Sequence, residues 1–245
     1  MIDLTRIVAQ PLSLEPYKWA IIESVFSPVD GNALAASFPC DNFKTIKGYD
    51  GEKGYEYEAR ALIHMGASAP SHGEHLSIPW LELADELLSP AYRSAISALT
   101  ELDLTDLPIE VNLSHYGASA WLGPHVDLQD KVVTHVFYFN GDWKEQDGGC
   151  LTILRSNDMS AVAANIPPLI GNSVIVVRSE NSWHAVSRVR EGSRISRRSM
   201  TVTFYRPGSL STMWPPGDVT PLHRYSDKRS MLSRWLRRAG LMKQS

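Results

Sequence analysis

The feature that most narrows what this chain can fold into is a series of short apolar runs between about residues 109 and 206. IEVNLSHY, VVTHVFYFN, CLTILR, NSVIVV and SMTVTFY are rich in Val, Ile, Thr, Phe and Tyr, the residue types that suit a pleated, half-buried surface. Turn-forming clusters such as Asn140-Gly141-Asp142 and Asp147-Gly148-Gly149 separate them, as Gly, Asn and Asp do between strands. No helical stretch intervenes, so the pattern predicts an all-β sandwich or barrel core rather than a parallel α/β sheet.

The flanks read differently. Residues 1–110 are expected to be mainly helices and loops. Ser27-Pro-Val-Asp-Gly-Asn is a turn, with Asn32 a candidate cap for a short helix after it. Residues 80–102, WLELADELLSPAYRSAISALTEL, carry apolar residues at helical spacing, and Pro90 divides them into two helices. Residues 47–58 hold Tyr49, Tyr55 and Tyr57 in a polar, glycine-bearing segment that fits either a loop over a site or a surface hairpin. After residue 206 comes a Pro/Gly-rich connector, then an amphipathic helix over about 227–238. The division is one domain over 1–245, made of an N-terminal region (1–108), a β core (109–206) and a C-terminal connector with a basic helix (207–245). Its class is mainly β with flanking helices (α+β).

Composition excludes several classes. With 245 residues, 43% hydrophobic and 21% charged, the chain can bury a core without disulfides or a structural metal. Two cysteines, Cys40 and Cys150, make no disulfide framework and suit a reducing compartment. The N-terminus lacks a basic region leading into an apolar stretch, and the longest apolar runs are of strand length, so a soluble, cytoplasmic protein with no membrane span is expected. From Arg188 onward the acidic residues are only Glu191, Asp218 and Asp227, against a series of Arg and Lys. That run fits a solvated basic helix, or a surface for an anionic partner. No nucleic-acid-binding motif accompanies it, so no nucleic-acid partner is expected. Oligomeric state is not written in the sequence.

Chemistry concentrates in Gly123-Pro-His125-Val-Asp127. On a strand, residues i and i+2 share a face, so His125 and Asp127 can point together into a barrel. His184 follows the strand NSVIVV after a short turn, which places a second imidazole at a strand end. Two imidazoles and one carboxylate leave three open positions on octahedral Fe(II), the facial triad of non-haem iron oxygenases. Two positions suit a chelating 2-oxo acid and the third suits O2. A distal carboxylate on that acid calls for an Arg fork inside the barrel. Arg188, Arg190, Arg194, Arg197 and Arg198 all follow His184. Arg198 alternates in phase with Met200, Val202 and Phe204, the apolar face of SMTVTFY, so it is expected to point inward and Arg197 outward. Thr134 and His135 occupy opposite faces of another strand, and one of them lines the pocket.

Residues 111–206 resemble the catalytic core of the prolyl-hydroxylase-type family of iron and 2-oxoglutarate oxygenases. The resemblance rests on Tyr116-Gly117 ahead of His125-x-Asp127, THVFYFN followed by Asp142-Trp143, Asp147-Gly148-Gly149 leading into CLTIL, Trp183-His184-Ala-Val, and Arg198 opening SMTVTFY. It implies a double-stranded β-helix of the jelly-roll, cupin-like kind. It implies Fe(II) on His125, Asp127 and His184, 2-oxoglutarate as co-substrate with O2, and support by ascorbate. Arg198 would pair with the co-substrate, and Tyr116 and Tyr138 would donate hydroxyls near it. The gap from His184 to Arg198 is longer than is usual in the family, through REGSRIS, so Arg194 stands as the alternative. Asp127 occupies the position at which family halogenases admit chloride, which favours hydroxylation or a related C–H oxidation.

The substrate expected is a small, anionic metabolite, because the chain is short and its C-terminal region basic. A protein or peptidyl residue such as proline is the alternative. A non-catalytic cupin-like metal- or ligand-binding protein is a rival from another class, and an inward Arg speaks against it. A zinc hydrolase is disfavoured because nothing supplies an obvious general base beside the triad.

Overall fold

The computed structural model describes residues 1–50 and 53–227. The expected helix over about 227–238 lies outside the described residues, save its first position. In chain order the elements are α1 (Leu4–Ala9), β1 (Trp19–Ile22), α2 (Pro28–Ala36), β2 (Lys44–Asp50) and β3 (Lys53–Ile63). Then come α3 (Ile78–Leu88), α4 (Pro90–Thr100), β4 (Ile109–Tyr116), β5 (Trp121–His125) and β6 (Lys131–Tyr138). The last are β7 (Leu151–Leu154), β8 (Val162–Ile166), β9 (Ser173–Val177), β10 (His184–Val186) and β11 (Arg197–Tyr205).

All eleven strands join one curled sheet in the order β1-β9-β6-β11-β4-β3-β5-β10-β7-β8, with β2 paired to β3. Every ladder among the named strands is antiparallel. The double-stranded β-helix core is therefore present, and Pro90 does separate two helices, as the sequence predicts. Pro90 sits at the first position of α4, where its missing N–H would be unbonded anyway.

Two expectations about the N-terminal region need correction. The region is not merely helices and loops: β1 lengthens one end of the sheet beside β9, and the β2–β3 hairpin adds two strands beside β4 and β5. β1 is only four residues, WAII, and β2 and β3 mix Lys, Glu and Gly with their apolar residues, so none shows a clean strand alternation on its own. Asn32 is not a cap. Helix α2 starts earlier, with the Ser27 hydroxyl accepting from the Asp30 N–H at 3.1 Å and Pro28 at the first turn. Both cysteines are free thiols.

The larger hydrophobic core lies outside the barrel, between the convex face of the sheet and the helices. Trp80, Leu83 and Leu87 of α3 and Tyr92, Ile96 and Leu99 of α4 pack with Leu113, Phe137, Met200, Val202 and Phe204. A smaller cluster, including Tyr116, Val136, Tyr138, Leu151, Val174 and Val186, occupies the inner side of the curl. One face of the central strands is thus mainly apolar, while the opposite face carries the polar groups described next. Among the described residues no helix is long and apolar enough to cross a membrane.

Candidate active site

His125 ends β5 and His184 begins β10, and these two residues are direct cross-strand partners. Their rings stand 4.3 Å apart, centre to centre. Asp127 follows β5 by two residues and is buried at 5% exposure. One ligand-capable atom from each of the three lies within 4.8 Å of the others. This is the only such group of metal-capable side chains among the described residues.

The donor set suits a metal. The His125 Nδ1 lies 3.0 Å from the Gly123 carbonyl and the His184 Nδ1 2.9 Å from the Ser182 carbonyl. Only an Nδ1–H can donate to a carbonyl, so Nε2 is the lone-pair nitrogen on each ring, and the backbone sets both tautomer and orientation. Asp127 is held by two donors: Lys131 Nζ reaches Oδ1 at 2.7 Å and Thr134 Oγ1 reaches Oδ2 at 2.8 Å. Burial works to raise the Asp127 pKa, but Lys131 and the two imidazoles outweigh it and hold the carboxyl well below the usual range. A carboxylate beside two imidazoles is a ligand set for Fe(II) that leaves a face open.

The cavity in front of this triad has a volume of about 140 Å³. At one end stands Arg197, buried at 2% exposure. Its Nε donates to the Gly149 carbonyl at 2.7 Å and its Nη1 to the Ser199 hydroxyl at 2.7 Å. The guanidinium lies 4.9 Å from the Tyr116 ring centre and 5.3 Å from that of Tyr138. Burial pushes the Tyr116 phenol up to about 12 against the pull of Arg197, and raises Tyr138 likewise. No carboxylate pairs with Arg197 among the described residues. A guanidinium this buried, held only by neutral acceptors, is half of a charge pair.

Arg198 stands elsewhere, which corrects the strand phase expected from the sequence. It projects from the opposite face of β11, where its Nη2 meets Asp227 at 2.9 Å and its guanidinium lies 5.8 Å from the Phe38 ring centre. Arg194 is exposed on a surface cleft with Asp142, Lys144, Asp147 and Arg190. Neither lines the cavity. Of the two strand positions left open, Thr134 faces the site and His135 points outward to the Tyr92 hydroxyl at 2.9 Å. Tyr116 and Tyr138 both flank Arg197, and of the two Tyr116 lines the cavity.

Several residues of the site escaped the sequence reading. Lys131 lies four residues after Asp127, a spacing that brings a cation back to a carboxylate. The Asp147-Gly148-Gly149 turn does more than start β7, because it presents a carbonyl to Arg197. Gly148 has φ +67°, and a Cβ there would sit 2.0 Å from the Arg188 carbonyl oxygen, so only glycine fits. An outer cavity of about 440 Å³ adjoins the inner one and shares His125 and Asp127 with it. Its rim is formed by Ile46, Tyr55 and Tyr57 of the hairpin and by Thr212 and Met213 of the connector. Of the two readings offered for residues 47–58, the described part forms the hairpin, with β2 and β3 paired antiparallel.

The connector is strapped across the barrel. Trp214 Nε1 donates to Asn112 Oδ1 at 2.6 Å, and Lys44 Nζ reaches Asp218 at 2.5 Å while lying 4.3 Å from the Trp214 ring centre. Phe43 and His223 exchange backbone hydrogen bonds, and Tyr225 stacks on His115 at 4.0 Å. Arg198 belongs to this fastening, through Asp227.

Residues 111–205 match the family described as the 2OG-Fe(II) oxygenase superfamily. No curated protein is similar enough in sequence to count as a relative. Among solved structures, the chain is similar to a Pseudomonas putida prolyl-4-hydroxylase at 19% identity and TM-score 0.53, over 83% of this chain and 96% of that one. A prolyl hydroxylase from Trichoplax adhaerens, solved with a hypoxia-inducible factor peptide, gives 17% and 0.55 over 82% and 88%. The alpha-ketoglutarate-dependent epimerase of nogalamycin biosynthesis gives 13% and 0.52 over 92% and 94%. At these identities the likeness speaks to the fold alone.

Proposed function

We propose that the protein is a 2OG-Fe(II) oxygenase, which the match of residues 111–205 supports, and that it hydroxylates a small molecule that reaches the triad through the outer cavity. The observation that carries the reading is one cavity with the His125, Asp127 and His184 triad in its wall and an unpaired buried Arg197 at its end. The triad fits Fe(II), and the guanidinium fits the distal carboxylate of 2-oxoglutarate. Iron and 2-oxoglutarate, when bound, supply the activation of O2 that oxidises an unactivated C–H bond.

The chain's own residues prepare that chemistry. Gly149 and Ser199 fix the Arg197 fork so that it meets a planar carboxylate without reorganising. Tyr116 and Tyr138 keep their phenol protons, so either can donate to an anion beside Arg197. Lys131 and Thr134 keep the Asp127 carboxylate ionised and aimed. The hairpin and the strap border the substrate side of the cavity.

The anionic substrate expected from the basic C-terminal run finds no support in the site. Arg188, Arg190, Arg194 and Arg198 line neither cavity, and Arg234, Arg237, Arg238 and Lys243 lie outside the described residues. A peptidyl substrate is the second reading, favoured by the solved prolyl hydroxylases of similar fold. The test is succinate release from 2-oxoglutarate with Fe(II) and ascorbate, followed by a mass search for products that have gained one oxygen atom. His184→Ala is expected to lose both metal and succinate release. Full iron occupancy in that variant refutes the metal site, and stimulation by proline-rich peptides but by no small molecule favours the second reading.

A further inference from the structure

Glu110 stands on the cavity wall without a role in the chemistry above. It is 2% exposed and lines the inner cavity. Its Oε2 accepts from the Asn112 amide at 3.1 Å and lies 3.5 Å from the Tyr205 hydroxyl, both neutral donors. Its Oε1 is buried and has no hydrogen-bond partner. Of the bases near it, Lys131 gives its ammonium to Asp127, and burial lowers the pKa of His64. Arg197 stands at the other end of the strands: Glu110 is opposite Thr203 on β11, whereas Arg197 is opposite Tyr116. Six residues of extended strand separate the two ends by roughly 20 Å.

The register also places Glu110 relative to the metal ligands. Thr203 pairs with Glu110 on one side and with Thr134 on the other, and Thr134 holds Asp127. Two strand spacings put Glu110 roughly 10 Å from Thr134 across the cavity, on the side away from Arg197. A small substrate presenting a carbon to the metal would therefore have its far end within reach of Glu110.

A buried carboxylate with a free oxygen calls for a donor, and its charge calls for a cation. We propose that Glu110 binds a protonated amine of the substrate, so that the molecule oxidised carries a cationic nitrogen a few carbons from the oxidised position. Arg197 and Glu110 thus sort two ligands by charge at opposite ends of one cavity, the co-substrate carboxylate at the first and the substrate ammonium at the second.

The inference rests on the oxygenase reading, and its test keeps the two apart. The protein is loaded with redox-silent Mn(II) and 2-oxoglutarate, and paramagnetic broadening of proton signals is measured for butylamine, butan-1-ol and butyrate. Broadening of 2-oxoglutarate itself reports the metal site; its absence refutes the oxygenase reading. With the site formed, the butylammonium signals are expected to broaden most, and Glu110→Gln to weaken that binding by about tenfold or more, the scale of a hydrogen bond to a charged group. Glu110→Asp should keep the preference for the ammonium at lower affinity, which separates loss of charge from loss of fold. Butanol or butyrate binding as well as butylammonium, or an ammonium preference that survives in Glu110→Gln, overturns the proposal.

Discussion

The two faces of β11 are built from opposite chemistry. On one, Arg197, Ser199, Thr201, Thr203 and Tyr205 line the cavity; on the other, Met200, Val202 and Phe204 sink into the core beneath α3 and α4. In a filled barrel the apolar face points in. Here the apolar face points out, because helices cover it, and the polar face points in, where it lines the cavity beside the triad. The hydrophobic alternation of a strand identifies the face that is dry, and a second layer of structure decides whether that face is inside or outside.

The sharpest way to break this comparison is to remove the two adjacent arginines separately. Arg197→Ala is expected to weaken 2-oxoglutarate binding to the Mn(II)-loaded protein by about 3–5 kcal/mol, the cost of stripping one partner from a buried charge pair. Arg198→Ala removes a partly exposed ion pair with Asp227, and should change that binding by less than about 1 kcal/mol. Calorimetric titration of 2-oxoglutarate into each variant decides the matter. The reverse order of effects would return Arg198 to the cavity and overturn the register.

How much of this was legible beforehand follows from the same strand. The strand-rich core, the two helices around Pro90 and the triad were readable, because each depends on local spacing: i and i+2 for His125 and Asp127, a strand end for His184. The choice between Arg197 and Arg198 was not local. Both alternations were present, Met200-Val202-Phe204 and Ser199-Thr201-Thr203, and only the presence of α3 and α4 over the first assigns them. The polar stripe leading from Arg197 was the signal that pointed to the cavity. Lys131, Gly149 and Glu110 come from three segments that only the closed sheet brings to one space. Residues 47–58 fit a loop or a hairpin equally in sequence for a related reason, since the side chains of β2 and β3 meet the sheet, the site and solvent in turn.

A stability comparison sharpens the contrast between faces. Met200 is fully buried beneath the helices, and Met200→Ala should cost about 2–5 kcal/mol in urea unfolding, as core truncations to Ala do. Thr203 faces the cavity, where no packed layer collapses onto it, and Thr203→Ala should cost less than about 1 kcal/mol. Equal losses would mean that the inner face is packed as tightly as the outer one, leaving no room for two ligands.

The smallest expected effect concerns protons, and it too divides the faces. His135 lies on the outer, dry face of β6, fully buried, and burial lowers its pKa to about 3. The native protein therefore holds His135 neutral, while the unfolded chain takes up a proton as pH falls below about 6.5. The contribution is complete above that pH and is lost as pH falls from about 6.5 towards 3. The slope from this one residue approaches about 1.4 kcal/mol per pH unit. His115, on the outer face of β4, is also lowered to about 3, chiefly by burial and next by Arg198, and adds a second contribution in the same window. Urea unfolding between pH 6 and 5 lies above the range in which carboxylates titrate, and a His135 variant separates its share from those of His115 and of His64, whose pKa burial also lowers. His135→Gln cannot take up the proton, so its unfolding free energy should fall by about 1 kcal/mol less than that of the wild type across this unit. An unchanged slope would mean that His135 is already protonable in the fold, with water reaching a face that the packing of α3 and α4 is here held to keep dry.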